Sequence, residues 1–533
     1  MKMLPLSLTG VWLGDVIVLI ALLIYIIYKY LTNTSDYFKV RGIPYLKPAF
    51  IVGYRGLLTK SSMDLSQSLY DSFAGDRFFG YFQARVPILL VKDPELQQLI
   101  RVKDFVHFQD QGFHVTGGNL LSTNLFNLRG HTWQSLRNKL NPTFTSGRLK
   151  LMFHQLVESG DHLLVNIERS YSGEPILAKN LTLDFVIEVI ASCAFGMDFS
   201  KETPQTAEFI SRSHSVQVSG YRKVFIDLMS LFAPKVLSLL GVRIHHPVTI
   251  EYFLNLVKTI KEYRKKNGVK RNDYFQQLLT LQEAEETGGG KIKFTVTDKD
   301  EKDNIVNQMQ HFPRSPYTKE TKRLTDECIT SQAFGFLWSG SETVSETLSY
   351  ALYHLGKDLM VQGRARKEVE DSLTRHGEWT YQAVQEMVYL DQVLQETLRL
   401  YPVMPLGFRE CTMAYRIPLS DRVVEKGMIV AIPVRGLHMD PKFYPDPKRF
   451  DPDRFKGNNY KPSHIYMPFG DGPRICVAMR FAILEMKVCL AKILSRFDLQ
   501  VDSKTQEPFR FDHSSFSPKP LGGVWLKLEK RRS

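Results

Sequence analysis

From Val11 to Leu31 the chain reads VWLGDVIVLIALLIYIIYKYL, with Asp15 and Lys29 as its only charges. As a helix, a run of this length reaches about 30 Å, the thickness of a bilayer's hydrocarbon core. Trp12, Tyr25, Tyr28 and Tyr30 lie near its ends, where interfacial aromatics belong. Lys29, Lys39, Arg41 and Lys47 follow the midpoint of the run and only Lys2 precedes it, which predicts a cytosolic location for the rest of the chain. The rival reading is a cleaved signal peptide, but no small-residue cleavage site follows. A retained membrane anchor over residues 1–31 is therefore expected. Residues 32–50 form a hinge stiffened by Pro44 and Pro48, and residues 51–533 form one domain.

With 43% hydrophobic and 23% charged residues, that domain has ordinary globular composition. This excludes a disordered chain and a small disulfide scaffold. The five cysteines are widely spaced with no C-x-x-C, which argues against a disulfide framework or zinc site and for a reducing compartment. N-x-[ST] triplets at Asn33 and Asn180 are common by chance. The net charge of +13 suits an anionic membrane surface or an acidic partner, and equally a plain solvated surface. The basic run Lys261–Arg271 reads as a solvated loop between helices rather than a nucleic-acid patch. Residues 285–325, polar and carrying Gly288–Gly290, read as a surface insertion.

Residues 69–104 predict a helix, strands near Phe78–Phe82 and Pro87–Val91, and a helix from Pro94. Helical periodicity dominates from about residue 130. After residue 400 come Pro-rich loops and short strands, with one further helix after Cys476. The fold class is mainly α with a minor β-sheet region.

The stretch Phe469-Gly-Asp-Gly-Pro-Arg-Ile-Cys476-Val-Ala478 makes a tight loop whose amides can approach a ligand closely. Val477, Phe481, Leu484 and Val488 follow with helical spacing, so Cys476 is expected at a helix N-terminus, with Arg474 as a nearby cation. Both features favour a thiolate. Taken alone, such a cysteine is more often a buried apolar residue.

The loop resembles the haem-binding signature F-x-x-G-x-R-x-C-x-G of cytochrome P450 enzymes. Phe469, Gly472, Arg474 and Cys476 match, while Ala478 stands where glycine is usual. The resemblance implies the P450 fold with a single N-terminal transmembrane helix, and haem b with Cys476 as its axial thiolate.

Other stretches agree in order. Glu396-Thr-Leu-Arg399 and Pro452-Asp-Arg454-Phe are similar to the family's E-x-x-R and P-x-R-F motifs, implying a structural triad of Glu396, Arg399 and Arg454 behind the haem. Trp133-Gln-Ser-Leu-Arg137 resembles the W-x-x-x-R helix. By resemblance Trp133, Arg137, Arg409 and Arg474 bind haem propionates, a task that suits the planar guanidinium fork. Ser339-Gly340-Ser341-Glu342-Thr343-Val344 resembles [AG]-G-x-[DE]-T-[TS], where the family's helix opens over the haem. Gly340, Glu342 and Thr343 match, and Ser339 and Val344 depart. Thr343 is implied to bond the oxygen ligand and Glu342 to relay protons. Asn141–Gly147, Tyr389–Gln392, Gly436–Pro441 and Ser517–Trp525 look like insect microsomal members.

The implied activity is O2-dependent monooxygenation of an apolar xenobiotic or lipid-like molecule. Electrons would come from NADPH through NADPH–cytochrome P450 reductase, with cytochrome b5 as an optional second donor and no nucleic acid involved. The implied site of action is the endoplasmic reticulum membrane, on its cytosolic face. Substrate contacts are expected from Phe113, Leu125, Phe126, Phe334, Trp338, Ser339, Val403, Met404, Leu406 and Phe516, with Trp338 and Ser339 narrowing the pocket. Two alternatives remain: a haem-thiolate isomerase or dehydratase needing no O2, and a non-catalytic anchored haem-binding protein.

Overall fold

The computed structural model describes residues 12–112, 120–170, 173–199, 203–214, 245–287, 324–457, 463–515 and 517–531. Helix α1, Trp12–Thr32, is the apolar N-terminal run, and its side chains from Ile17 to Tyr28 stay exposed around the whole circumference. Exposure of this kind is costly in water and natural in lipid. Helix α1 is long and apolar enough to cross a membrane.

A four-stranded sheet lies at one side of the domain. It is built from β1 (Phe78–Gln83), β2 (Val86–Val91), β3 (Gly407–Glu410) and β4 (Ile429–Ile432), in the order β1-β2-β4-β3. Strands β1 and β2 form the expected hairpin, and β2 runs parallel to β4. Val430 is opposite Leu89 on one side and Arg409 on the other, so the second half of the chain delivers Arg409 to a sheet begun by the first half.

The helical layer contains α2 (Gly130–Leu140), α3 (Ser146–Ser170), α4 (Ala178–Ile190), α5 (Pro247–Asn267), α6 (Tyr274–Glu286) and α7 (Asp326–Lys357). It continues with α8 (Leu359–His376), α9 (Val388–Leu400) and α10 (Met479–Arg496). The 32-residue α7 is the axis of the core. Thr325 caps it by accepting from the Cys328 amide, and Asp326 and Glu327 complement its dipole. Helices α4, α9 and α10 pack along it, burying Ala333, Leu337, Leu348 and Leu352.

One expectation changes. The basic run Lys261–Arg271 is only partly a loop: α5 continues through Asn267 and ends at Gly268, whose φ of +63° suits a left-handed cap, and the residues from Gly268 to Arg271 form the connection to α6. Arg264 within the run is buried and pairs with the buried Asp273 at 2.5 Å. A run of charges thus conceals an internal ion pair, which periodicity in a basic stretch does not reveal. Most of the expected insertion at 285–325 lies outside the described residues, as do Phe113 and Phe516.

Candidate functional site

The Phe469–Ala478 loop is held by its own backbone: the Gly470 amide donates to Met467 O at 2.9 Å, and the Cys476 amide to Phe469 O at 2.9 Å. Gly472 has a φ of +68°, and a Cβ there would come within 2.1 Å of Arg101 O. The loop therefore depends on glycine for its conformation and for its contact with the turn Leu99–Lys103. Gly472→Ala is expected to cost about 1–3 kcal/mol from backbone strain alone. The displaced loop should also lower haem content, and thermal unfolding together with the haem-to-protein absorbance ratio checks both effects.

Cys476 lies deep in the protein, and its exposed surface opens on a cavity. Helix α10 begins only at Met479 with Ala478 as its N-cap, so Cys476 sits in the loop before the helix rather than in its first turn. Burial pushes its thiol up, while the Ala478 amide and the Arg137 guanidinium pull it down. The cation acting on Cys476 is thus Arg137, not Arg474. Arg474 turns the other way, donating to Gln109 O at 2.8 Å and Leu128 O at 2.9 Å and stacking over Trp133 at 3.8 Å.

Arg101, Arg137, Arg409 and Arg474 all reach the same cavity, together with Trp133. Each is buried, and each has donors without a hydrogen-bond partner: both Nη of Arg101, Nε of Arg137, Nε of Arg409 and Nη1 of Arg474. Burial pushes Arg101, Arg137 and Arg409 down to about 10 and Arg474 to about 8. Buried donors of this kind call for an anion. A group with carboxylates at its rim, an apolar body and a metal suited to a thiolate fits this donor set, and haem is such a group. Arg101 was not among the expected residues. It arrives from a π-helical turn in the N-terminal half, and nothing near it in sequence marks it.

On the opposite wall, α7 presents Ser339, Gly340, Thr343 and Thr347 to the cavity. A Cβ on Gly340 would meet Ile190 Cδ1 at 2.8 Å, so the glycine lets α4 close against α7. The helix does not open. The hydroxyls of Ser339, Ser341, Thr343, Ser345, Thr347 and Ser349 each donate to the carbonyl four residues back, at 2.6–2.8 Å, and α7 runs unbroken. Glu342 does not line the cavity. Its carboxylate accepts from Lys179 Nζ at 2.5 Å and Ser517 Oγ at 3.3 Å.

Among the expected substrate contacts, Leu125, Phe126, Ser339, Val403 and Met404 border the cavity. Phe334 does not: it is buried against His245 and Phe253 at ring distances of 4.9 and 5.0 Å. Leu406 packs into the sheet-side core. Trp338 is 41% exposed and does not border the cavity, so it cannot narrow it there. The Ser339 hydroxyl is turned back on Gly335 O. Phe336, which was not expected, does line the cavity. It lies seven residues before Thr343, hence on the same helix face, whereas Phe334 and Trp338 lie off that face.

Glu396, Arg399 and Arg454 meet behind the loop. Arg399 forks onto Glu396 with bonds of 2.7 and 2.8 Å, both residues are fully buried, and Arg454 Nε lies 3.3 Å from Glu396 Oε1. Arg399 also donates to His438 O and Pro447 O, tying α9 to the segment before the loop.

The family model described as Cytochrome P450 matches residues 43–526. The chain is 33% identical to cytochrome P450 9e2 of Blattella germanica, covering 98% of this chain and 99% of that protein. It is 33% identical to cytochrome P450 6a9 of Drosophila melanogaster, covering 98% and 100%, and 33% identical to cytochrome P450 6j1 of Blattella germanica, covering 95% of each. With a family model spanning most of its length and relatives alike from end to end, this chain belongs to the cytochrome P450 family, oxidoreductases that carry haem on a cysteine thiolate.

Proposed function

We propose that the chain is a membrane-anchored monooxygenase that inserts one oxygen atom of O2 into an apolar xenobiotic or lipid-like molecule. The observation that carries this reading is one cavity bordered by the Cys476 thiol, by Thr343 and by four buried arginines. In it, Cys476 ligates the haem iron, and Arg101, Arg137, Arg409 and Arg474 hold the propionates, with Trp133 packed under Arg474. Bound haem supplies O2 activation, which thiolate donation favours. Leu125, Phe126, Val403 and Met404 exclude water and orient an apolar substrate. Thr343 offers a hydroxyl at the cavity wall, where it donates to Ser339 O, and the neighbouring Glu342 carboxylate, outside the cavity, accepts from Lys179.

Residues 1–31 serve as the anchor, 32–50 as the hinge and 51–533 as the haem domain, on the cytosolic face of the endoplasmic reticulum. NADPH–cytochrome P450 reductase is the electron donor, an acidic partner suited to a basic chain. NADPH-dependent O2 uptake in the reconstituted system, followed by a product screen over apolar compounds, tests the reading. Uptake separates it from an isomerase, which needs no O2. Thr343→Ala is expected to keep the haem spectrum while product per NADPH falls by about 100-fold and peroxide rises, the low end of what positioned proton donors contribute.

A further inference from the structure

Two carboxylates on α7, Glu342 and Glu346, stand four residues apart on one helix face, where like charges repel. A single cation spans them: Lys179 Nζ, on the first turn of α4, lies 2.5 Å from Glu342 Oε1 and 2.5 Å from Glu346 Oε1. The two acids are not equivalent. The Glu346 side chain is 2% exposed and its Oε2 has no hydrogen-bond partner, whereas the Glu342 side chain is 22% exposed and also accepts from Ser517. A buried carboxylate needs its cation more than a half-solvated one, because less water screens it. Burial accordingly pushes the Glu346 carboxyl up and Lys179 draws it back down, with Lys519 adding to the pull and Glu342 opposing it. Tyr350, one turn further along α7, is also titratable and feels the Glu346 charge.

We propose that Glu346 is a positioning residue for proton delivery: by drawing on the Lys179 ammonium it loosens that cation's hold on Glu342, which then can turn toward Thr343. This rests on the reading of Glu342 and Thr343 as the proton-delivering pair. Removing the Glu346 charge commits Lys179 to Glu342 alone and pins it.

The test needs no knowledge of the substrate. When reductase and NADPH drive the substrate-free enzyme, O2 + NADPH + H+ gives H2O2 + NADP+, while O2 + 2 NADPH + 2 H+ gives 2 H2O + 2 NADP+. The partition between them reports proton supply. Glu346→Gln is expected to raise the peroxide share severalfold and enlarge the solvent isotope effect on NADPH consumption, with the reduced, CO-bound spectrum unchanged. Glu346→Asp restores both values in part. The Lys179→Gln, Glu346→Gln double variant behaves like Lys179→Gln alone, since the cation that bridges Glu346 to Glu342 is then already gone. Unchanged partition and isotope effect in Glu346→Gln, alongside a shift in Glu342→Gln, overturn the role of Glu346 only. No shift in either variant overturns the role of Glu342 and this proposal with it.

Discussion

Cys476→Ser abolishes the red-shifted Soret band of the reduced, CO-bound protein and eliminates O2-dependent product formation. The expected loss is complete because a serine hydroxyl does not supply the soft, strongly donating anion that the iron requires. The fold should survive. The loop is shaped by Gly470, Gly472 and the Cys476 amide, and none of its backbone bonds uses the sulfur. The thiol in this structure is held up by burial and drawn down by Arg137 and the Ala478 amide, so its thiolate depends on the site being assembled. A serine variant that still gave the red-shifted band would remove Cys476 from the metal. The cysteines Cys193, Cys411 and Cys489 are buried and Cys328 is partly exposed, but none of these borders the cavity except Cys193. Cys193→Ser is therefore the control, and its band should persist.

Glu396→Gln has the largest expected effect on stability. It leaves the Arg399 guanidinium fully buried without its counter-charge, a change that costs about 3–5 kcal/mol. Domains have only about 5–15 kcal/mol to lose. Arg454 loses the same counter-charge, and the Asp451 amide, which donates to Glu396 Oε1, is left with a neutral amide oxygen in place of a carboxylate. The segment from His438 to Arg449 hangs on Arg399 through three carbonyls, so its order and haem retention should fall together. Arg399→Lys keeps the charge but not the fork, and should fall between wild type and Glu396→Gln. Urea unfolding of the purified variants, with haem content followed in the same titration, gives both quantities. Equal stability of Glu396→Gln and wild type would show that the buried pair contributes nothing net.

Much of this site is legible because its signals are short. The Phe469–Ala478 loop holds its glycines, arginine and cysteine within ten residues, and the geometry those types require is local. The resemblance to E-x-x-R and P-x-R-F is what marks Glu396 and Arg399 as a buried pair, and at one helical turn apart they are close enough to pair. The β1–β2 hairpin was readable for the same reason. The errors have a common origin too. The resemblance places Phe334 and Trp338 among the substrate contacts, yet a helix turns 100° per residue and neither residue is on the face that meets the cavity. Counting seven back from Thr343 would have found Phe336 instead.

By itself, the sequence determined the apolar span, the family, the haem loop and the buried ion pair on α9. Each is carried by residues within a few turns of one another, where covalent spacing sets geometry. Only the tertiary structure decided which side chains the cavity collects: Arg101 beside Arg409 and Arg474, Arg137 rather than Arg474 as the cation on Cys476, and Lys179 on both Glu342 and Glu346. Those partners lie from tens to hundreds of residues apart. What joins them is the packing of α4 and α10 on α7 and the pairing of β2 with β4, driven by burial of apolar surface that is indifferent to which charged residue it carries along.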